Sequence, residues 1–100
     1  MLKQSTLLGT TLREQRESKS LLLRQVAAAI EVDTAFVSKI ERGEKKASRD
    51  QVLKLATFLG IDKDHLITLW LCDRVLHAVD KEPLAEQAIK FALKNITTEA

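Results

Sequence analysis

Four residues with side chains that can bind a metal lie in one stretch, at His65, Cys72, Asp73 and His77. Asp73 and His77 are four residues apart and would share one face of a helix. A zinc site needs three or four converging ligands, and no further partner is apparent in the sequence. We also find no Ser/His/Asp triad and no paired carboxylates. The sequence therefore predicts no metal, no cofactor and no catalytic site.

Positive charge is concentrated elsewhere in the chain. Residues 1–60 hold eleven Lys and Arg against seven Asp and Glu, whereas residues 61–100 hold five against seven. The total of 16 basic and 14 acidic residues hides this asymmetry. A cluster of cations on one part of a small protein suits a polyanion such as nucleic acid. We therefore expect a phosphate-binding surface in the first sixty residues.

The stretch from Leu21 to Gly43 is expected to position that surface. Apolar residues recur at helical spacing in two short segments, at Val26, Ala27 and Ile30 and then at Phe36, Val37 and Ile40. The segments suggest helices of nine and eight residues, joined by three residues that end in Asp33. Asp33 is suited to cap the second helix, and Gly43 to end it. So short a turn predicts the steep crossing of a helix-turn-helix.

The run VAAAIEVDTAFVSKIERG resembles the core of the XRE, or lambda-repressor-like, family of bacterial and phage DNA-binding regulators, which includes small restriction-modification controllers. The resemblance extends from about Leu8 through Ile61, and its most specific part is the Ser-Lys-Ile-Glu-Arg-Gly ending. It implies an all-α, lambda-repressor-like domain of five helices, to which we add one C-terminal helix. One position departs from the family. Leu23 replaces the polar residue that usually opens the second helix and touches a phosphate, and Leu22 stands where a Ser cap is usual, so Ser20 is a candidate cap.

The resemblance implies that the third helix enters the DNA major groove. The candidate base-reading residues are Thr34, Ala35, Phe36, Ser38 and Lys39. Thr34 can donate or accept a hydrogen bond, whereas Ala35 can only touch apolar base edges. Lys39 has two interpretations, a guanine contact or a phosphate contact. Phe36 also has two, a contact with sugar or a thymine methyl, or burial against the fourth helix.

Residues just past the third helix lie where the resemblance places contacts with the DNA backbone. The candidates are Arg42, Lys45, Lys46 and Arg49, and Arg13 and Arg24 are weaker ones. A solvated loop is the alternative, but position and sign together favour phosphate. The family also pairs an Arg of the first helix with the Glu that closes the third. Arg16 and Glu41 hold these positions, and we interpret them as a structural ion pair.

The other helices follow from apolar spacing and caps. The first should span Thr6 to Lys19, with Ser5 or Thr6 as its cap. The fourth should begin after a Ser48–Gln51 capping box and run to Leu59, with Gly60 ending it. A fifth, capped by Asp62, should span Lys63 to Val79, and the last should span Pro83 to Asn95. Residues 1–5 and 97–100 are expected to be loose.

The fifth helix is apolar over most of its circumference, which requires a second surface to cover it. We expect a homodimer with an interface at Leu66, Leu69, Trp70 and Leu76, because aromatic residues are frequent at interface centres. The last helix is a second candidate element of this interface. In the alternative, it covers the fifth helix within one chain. We expect the chain to form one domain, 1–100, with the four-helix core at 6–61 and a C-terminal helical extension at 62–96 as the dimerisation region.

These features together predict a sequence-specific transcriptional regulator that binds double-stranded DNA at an inverted-repeat operator. The alternative is a protein-interaction module, such as an antitoxin whose C-terminal helices bind a partner protein. No segment for a small-molecule ligand is evident. The single cysteine, Cys72, and the absence of a secretory or membrane-spanning run predict a cytoplasmic protein with no membrane association.

Overall fold

The computed structural model describes residues 5–99, and this range forms six α-helices and no strand. They are α1 (Leu7–Ser18), α2 (Leu23–Ala29), α3 (Thr34–Glu41), α4 (Arg49–Leu59), α5 (Lys63–Ala78) and α6 (Ala85–Glu99). The predicted fold class, all-α with five helices and one more, is confirmed. Residues 1–4 and 100, which were expected to be loose, lie outside the described residues.

Side-chain caps fix most of the helix starts where the sequence places them. The Asp33 carboxylate accepts from the Phe36 amide at 2.7 Å, and the Asp62 carboxylate accepts from the His65 amide at 2.9 Å. At α4, the Ser48 hydroxyl accepts from the Gln51 amide, and the Gln51 side chain accepts from the Ser48 amide. These bonds satisfy amides that have no partner inside the helix. The three starts are therefore local properties of the sequence.

The start of α2 differs from the prediction. Ser20 adopts a left-handed conformation, with φ 56°, in the turn that ends α1, so it does not cap α2. Leu22 is the N-cap, and its own amide donates to the Gln25 side chain at 2.7 Å. The helix has seven residues rather than nine. Its stability must come from packing, because so short a helix is unstable alone.

The last helix also differs at both ends. It begins at Ala85, and Pro83 lies in the preceding turn rather than in the first helical turn. It continues to Glu99, past the predicted end at Asn95. The turn before it contains Lys81 in a left-handed conformation, with φ 61°. The helix therefore starts after this turn, two residues past the proline.

One hydrophobic core joins α1 through α5. Its large, fully buried side chains are Val26, Val52, Leu55, Leu59 and Leu66. The contribution of Leu66 comes from α5, which packs against α1 and α4. Leu66 has no exposed surface left. Its predicted place in a dimer interface is therefore wrong, because its side chain is already buried by its own chain.

The outer side of α5 and most of α6 remain uncovered. Leu71, Val75 and Leu76 are each more than 40% exposed, and Phe91 on α6 is 71% exposed. Among the described residues, α6 takes no part in the extensive helix packing that joins α1 to α5. The alternative in which the last helix covers α5 within one chain is therefore not what this chain forms. None of the helices within residues 5–99 is long and apolar enough to span a membrane.

Candidate nucleic-acid interface

The connection between α2 and α3 gives α3 one buried and one exposed face. Glu31 adopts a left-handed conformation, with φ 61°, and the Val32 amide donates to the Ala27 carbonyl at 3.0 Å. The chain therefore turns within a few residues. Val37 and Ile40 are then buried against the rest of the core. The opposite face of α3 points to solvent, as a helix that enters a DNA groove requires.

The predicted base-reading residues divide into two groups. Thr34, Ala35 and Lys39 are exposed, whereas Phe36 and Ser38 are half-buried. Phe36 packs partly against the hydrophobic core, which favours the second of its two interpretations. The Ser38 hydroxyl accepts a hydrogen bond from the Arg42 guanidinium. Only the first group presents unengaged side chains to a ligand.

Arg16 and Glu41 form the ion pair expected from the resemblance. The Arg16 Nε donates to Glu41 Oε2 at 2.7 Å, and Nη2 donates to Oε1 at 3.1 Å. The hydrogen bond to Glu41 raises the pKa of Arg16 above its ordinary value. Arg16 also donates to the Leu21 carbonyl at 3.0 Å, at the approach to α2. One side chain of α1 thus fixes both helices of the helix-turn-helix.

The cations past α3 are not equivalent. Arg42 is bound to Glu44, with Nε 2.8 Å from Oε2, and this hydrogen bond raises the pKa of Arg42. Lys45, Lys46 and Arg49 are exposed, and no ion pair involves them within residues 5–99. These three side chains are therefore available to an anion, whereas the charge of Arg42 is partly compensated.

Three residues of α5 also reach this surface, and sequence reasoning assigned none of them to it. Trp70 donates from Nε1 to the Ala47 carbonyl at 2.8 Å. Asp73 accepts from the Leu7 and Leu8 amides at 2.9 Å each, and so caps α1 from a distant part of the chain. Arg74 has its guanidinium carbon 5.0 Å from the centroid of the Trp70 ring. The only signal in the sequence was their helical spacing, which places all three near one face of α5.

Comparison with known proteins identifies the arrangement. A family model described as a helix-turn-helix domain matches residues 7–69, well over half of the chain. The chain belongs to this helix-turn-helix family. The matched range includes α1 to α4 and the first part of α5, and so contains the helix-turn-helix and the cations after α3, whereas Trp70, Asp73 and Arg74 lie just beyond it.

Three solved structures are similar to this helix-turn-helix protein. The restriction-modification controller protein C.AhdI from Aeromonas hydrophila is 37% identical over 59% of this chain and 89% of that chain, with a TM-score of 0.55. One structure of the clp gene regulator ClgR from Corynebacterium glutamicum is 30% identical over 64% of this chain and 83% of its own, with a TM-score of 0.56. A second ClgR structure is 26% identical over 87% and 86%, with a TM-score of 0.57. No curated protein sequence matches the chain. With these relatives, the helix-turn-helix protein is a DNA-binding transcription regulator.

Of the residues on α5 whose side chains can bind a metal, Asp73 has another role in this regulator. Asp73 is engaged by the α1 amides. Cys72 is half-buried and free. Within residues 5–99, no three His, Cys, Asp or Glu side chains converge in a group that could hold a metal ion.

Proposed function

We propose that this protein binds an inverted-repeat operator as a homodimer and thereby regulates transcription. The observation that carries the proposal is that α3 keeps one face exposed while the Arg16–Glu41 pair holds the helix against the core. Unpaired cations follow this helix in the chain. A rigid helix with a free outer face can enter the major groove, and cations beside it can bind the flanking phosphates. Each element of the proposal has its own physical support.

Base reading is assigned chiefly to Thr34, Ala35 and Lys39. They lie on the exposed side of α3, with the first two in its first turn. The early residues of a recognition helix are those that reach base edges. Ser38 and Phe36 have smaller roles in this proposal because Ser38 is bound to Arg42 and Phe36 packs partly on the core.

Phosphate binding is assigned chiefly to Lys45, Lys46 and Arg49. They occupy the loop after α3 and the first residue of α4. Arg42 can join them with its remaining N–H groups or by giving up its bonds to Glu44 and Ser38. The pair with Glu44 can be exchanged for one with a phosphate, since both side chains are about half exposed and water screens their attraction.

Dimer formation is assigned to the uncovered apolar surface of α5 and α6. Most of the large exposed hydrophobic residues belong to these two helices, namely Leu71, Val75, Leu76, Ile89, Phe91, Leu93 and Ile96, and Leu84 lies in the turn just before α6. Monomeric proteins rarely leave so large an apolar surface in water. A second copy of the same chain presents a matching surface, and most soluble oligomers are symmetric dimers. Leu69 and Trp70 are already half-buried by their own chain, so they have less surface to contribute to such an interface.

The test is selection of bound sequences from a random duplex library, combined with light scattering of the free protein. We expect an enriched inverted repeat whose half-sites lie about 10 base pairs apart, and a mass of two chains at micromolar concentration. Enrichment of a single asymmetric half-site, saturated by one chain, would contradict the dimeric part. Absence of any enrichment would contradict operator binding.

The exposed apolar side of α6 also suits a second candidate function. An antitoxin-like module would use this surface to bind a different protein, and α6 would remain uncovered until that protein was present. This alternative requires a monomeric chain in light scattering. A dimer that buries α6 would exclude it.

A further inference from the structure

We propose that α5 supplies two parts of the DNA interface, Arg74 as a phosphate-binding residue and Trp70 as the residue that positions Arg49. This inference rests on the proposed binding of DNA through α3 and the loop that follows it. It adds residues from a helix that the sequence suggested only for dimer formation. The supporting features are a hydrogen bond, two ring contacts and the charges of one groove.

Trp70 connects α5 to the phosphate-binding loop in two ways. Its Nε1 donates to the Ala47 carbonyl at 2.8 Å, which fixes the backbone directly after Lys45 and Lys46. Its ring also lies 5.2 Å from the guanidinium carbon of Arg49. A guanidinium at this distance is attracted by the electrons of an indole ring, and most strongly where water is partly excluded. Trp70 therefore restricts the positions available to the Arg49 charge.

Arg74 shares the same ring. Each guanidinium carbon lies about 5 Å from the same centroid, so the two are at most about 10 Å apart. Neither guanidinium has an ion-pair partner within residues 5–99. One ring therefore holds two cations that are both available to a phosphate.

The groove beside the ring has more free positive than negative charge. It has a volume of about 580 Å³ and lies between α5 and the loop after α3, with Lys45, Lys46 and Arg74 among its lining residues. Two of its three carboxylates are engaged, Glu44 with Arg42 and Asp73 with the α1 amides.

The remaining carboxylate of the groove belongs to Asp80, which follows the C-terminal end of α5. Within residues 5–99 no cation neutralises Asp73 or Asp80, so the three lysine and arginine side chains of the groove exceed its unneutralised carboxylates by one. The groove also adjoins the residues already assigned to phosphate, so a DNA backbone that reaches Lys46 is close to Arg74. Guanidinium groups suit phosphate because they donate two parallel hydrogen bonds. A DNA phosphate is therefore the occupant that fits this groove.

The first experiment measures the salt dependence of binding to a labelled random-sequence duplex for the wild type, Arg74→Ala and Lys94→Ala. Lys94 is a cation on the exposed part of α6, outside the groove, so its replacement removes the same charge. We expect Arg74→Ala to lower the slope of log K against log salt by about 0.9, the value for one phosphate contact, and Lys94→Ala to leave it unchanged. Arg74→Lys should retain most of the slope. Equal slopes for Arg74→Ala and Lys94→Ala would overturn the role of Arg74.

The second experiment tests positioning with a double-mutant cycle. In the Trp70→Leu protein, Arg49→Ala should weaken duplex binding by a smaller factor than in the wild type, because Arg49 has already lost its support. Lys39→Ala should cost the same factor in both proteins, since Lys39 lies on the exposed face of α3, outside the loop that Trp70 holds. If Trp70→Leu only destabilised the fold, the effects of the two alanine substitutions would change by the same factor. Independent, multiplying losses for Trp70→Leu and Arg49→Ala would overturn the positioning role.

These experiments separate this inference from the proposed function. If the wild type binds no duplex even at low salt, DNA binding through α3 fails and the inference fails with it. If the wild type binds and Arg74→Ala behaves as Lys94→Ala does, only the inference fails. Arg74 is exposed, and circular dichroism of each variant verifies that its helices are retained.

Discussion

Arg16 and Glu41 are held together by two hydrogen bonds, of 2.7 and 3.1 Å, across the contact between α1 and α3. The Glu41 side chain is only 6% exposed and the Arg16 side chain 14%. A carboxylate this deep in the protein is tolerated only because a cation neutralises it and satisfies its oxygens. The pair therefore holds the C-terminal end of α3, the helix proposed to read DNA.

Removal of one partner should be costly. We expect Glu41→Ala to lower the free energy of unfolding by about 3 kcal/mol, because Arg16 would be left as an uncompensated charge in a largely buried site. Urea denaturation measures this change. The control is Glu17→Ala, which breaks the exposed Arg13–Glu17 pair and should cost less than about 0.5 kcal/mol. Similar losses for the two variants would show that burial of the Arg16–Glu41 pair has no particular importance.

Gly9 allows the close approach of α1 to the end of α3. A methyl group at this position would lie 2.5 Å from the Glu41 carbonyl oxygen and 2.6 Å from that of Ile40. Both are backbone atoms, so neither can move without shifting a helix. We expect Gly9→Ala to lower the free energy of unfolding by about 1–3 kcal/mol, despite the better helix propensity of alanine. Thr10→Ala, at the next and exposed position, should change stability by less than about 0.5 kcal/mol.

The features predicted correctly from the sequence are mostly local ones. The caps at Asp33, Ser48 and Asp62 depend on residues three positions apart, so the sequence contains both partners side by side. Leu66 illustrates the opposite case. A helix that is apolar on most sides does not reveal which side meets its own core, and Leu66 was placed on the wrong one. The packing of α5 against α1 and α4 shows which side of the helix is buried.

The features missed from the sequence involve residues far apart in the chain. The Asp73 carboxylate meets amides more than sixty residues earlier, and Trp70 meets a carbonyl 23 residues earlier. No periodicity or spacing connects such partners. The prediction that Ser20 caps α2 was wrong for a different reason. A residue between two helices can end the first or begin the second. Its left-handed conformation assigns it to the end of α1.

The long-range cap at Asp73 gives a further prediction about stability. Asp73→Ala should lower the free energy of unfolding by about 1–2 kcal/mol, because the first amides of α1 lose a charged acceptor. The same denaturation experiment measures it. Asp64→Ala is the control, since Asp64 is an exposed carboxylate in the first turn of α5. Its removal should cost less than about 1 kcal/mol. An effect of Asp73→Ala no larger than that of Asp64→Ala would contradict a cap that joins α5 to α1.

Residues of α3 should read the base sequence, whereas residues of the loop after α3 should bind phosphates. We expect Thr34→Ala to reduce the preference for operator over random duplex by about 1 kcal/mol, with little change in salt slope, because one base contact is lost. Lys46→Ala should weaken binding to both duplexes alike and lower the slope by about 0.9. Titrations of both duplexes at several salt concentrations measure these effects. Equal losses on the two duplexes for Thr34→Ala would move Thr34 to the phosphate-binding group.

Dimer formation through α6 can be tested with two exposed aromatic residues on different helices. Phe91 on α6 is 71% exposed and Phe58 on α4 is 40% exposed, so a change of either to glutamate leaves the core intact. If α6 forms the interface, Phe91→Glu places a charge in an apolar contact and should shift the protein to monomers at micromolar concentration. Phe58→Glu should leave the dimer unchanged. Light scattering of the two variants distinguishes them, and dissociation by Phe58→Glu alone would place the interface on α4 instead.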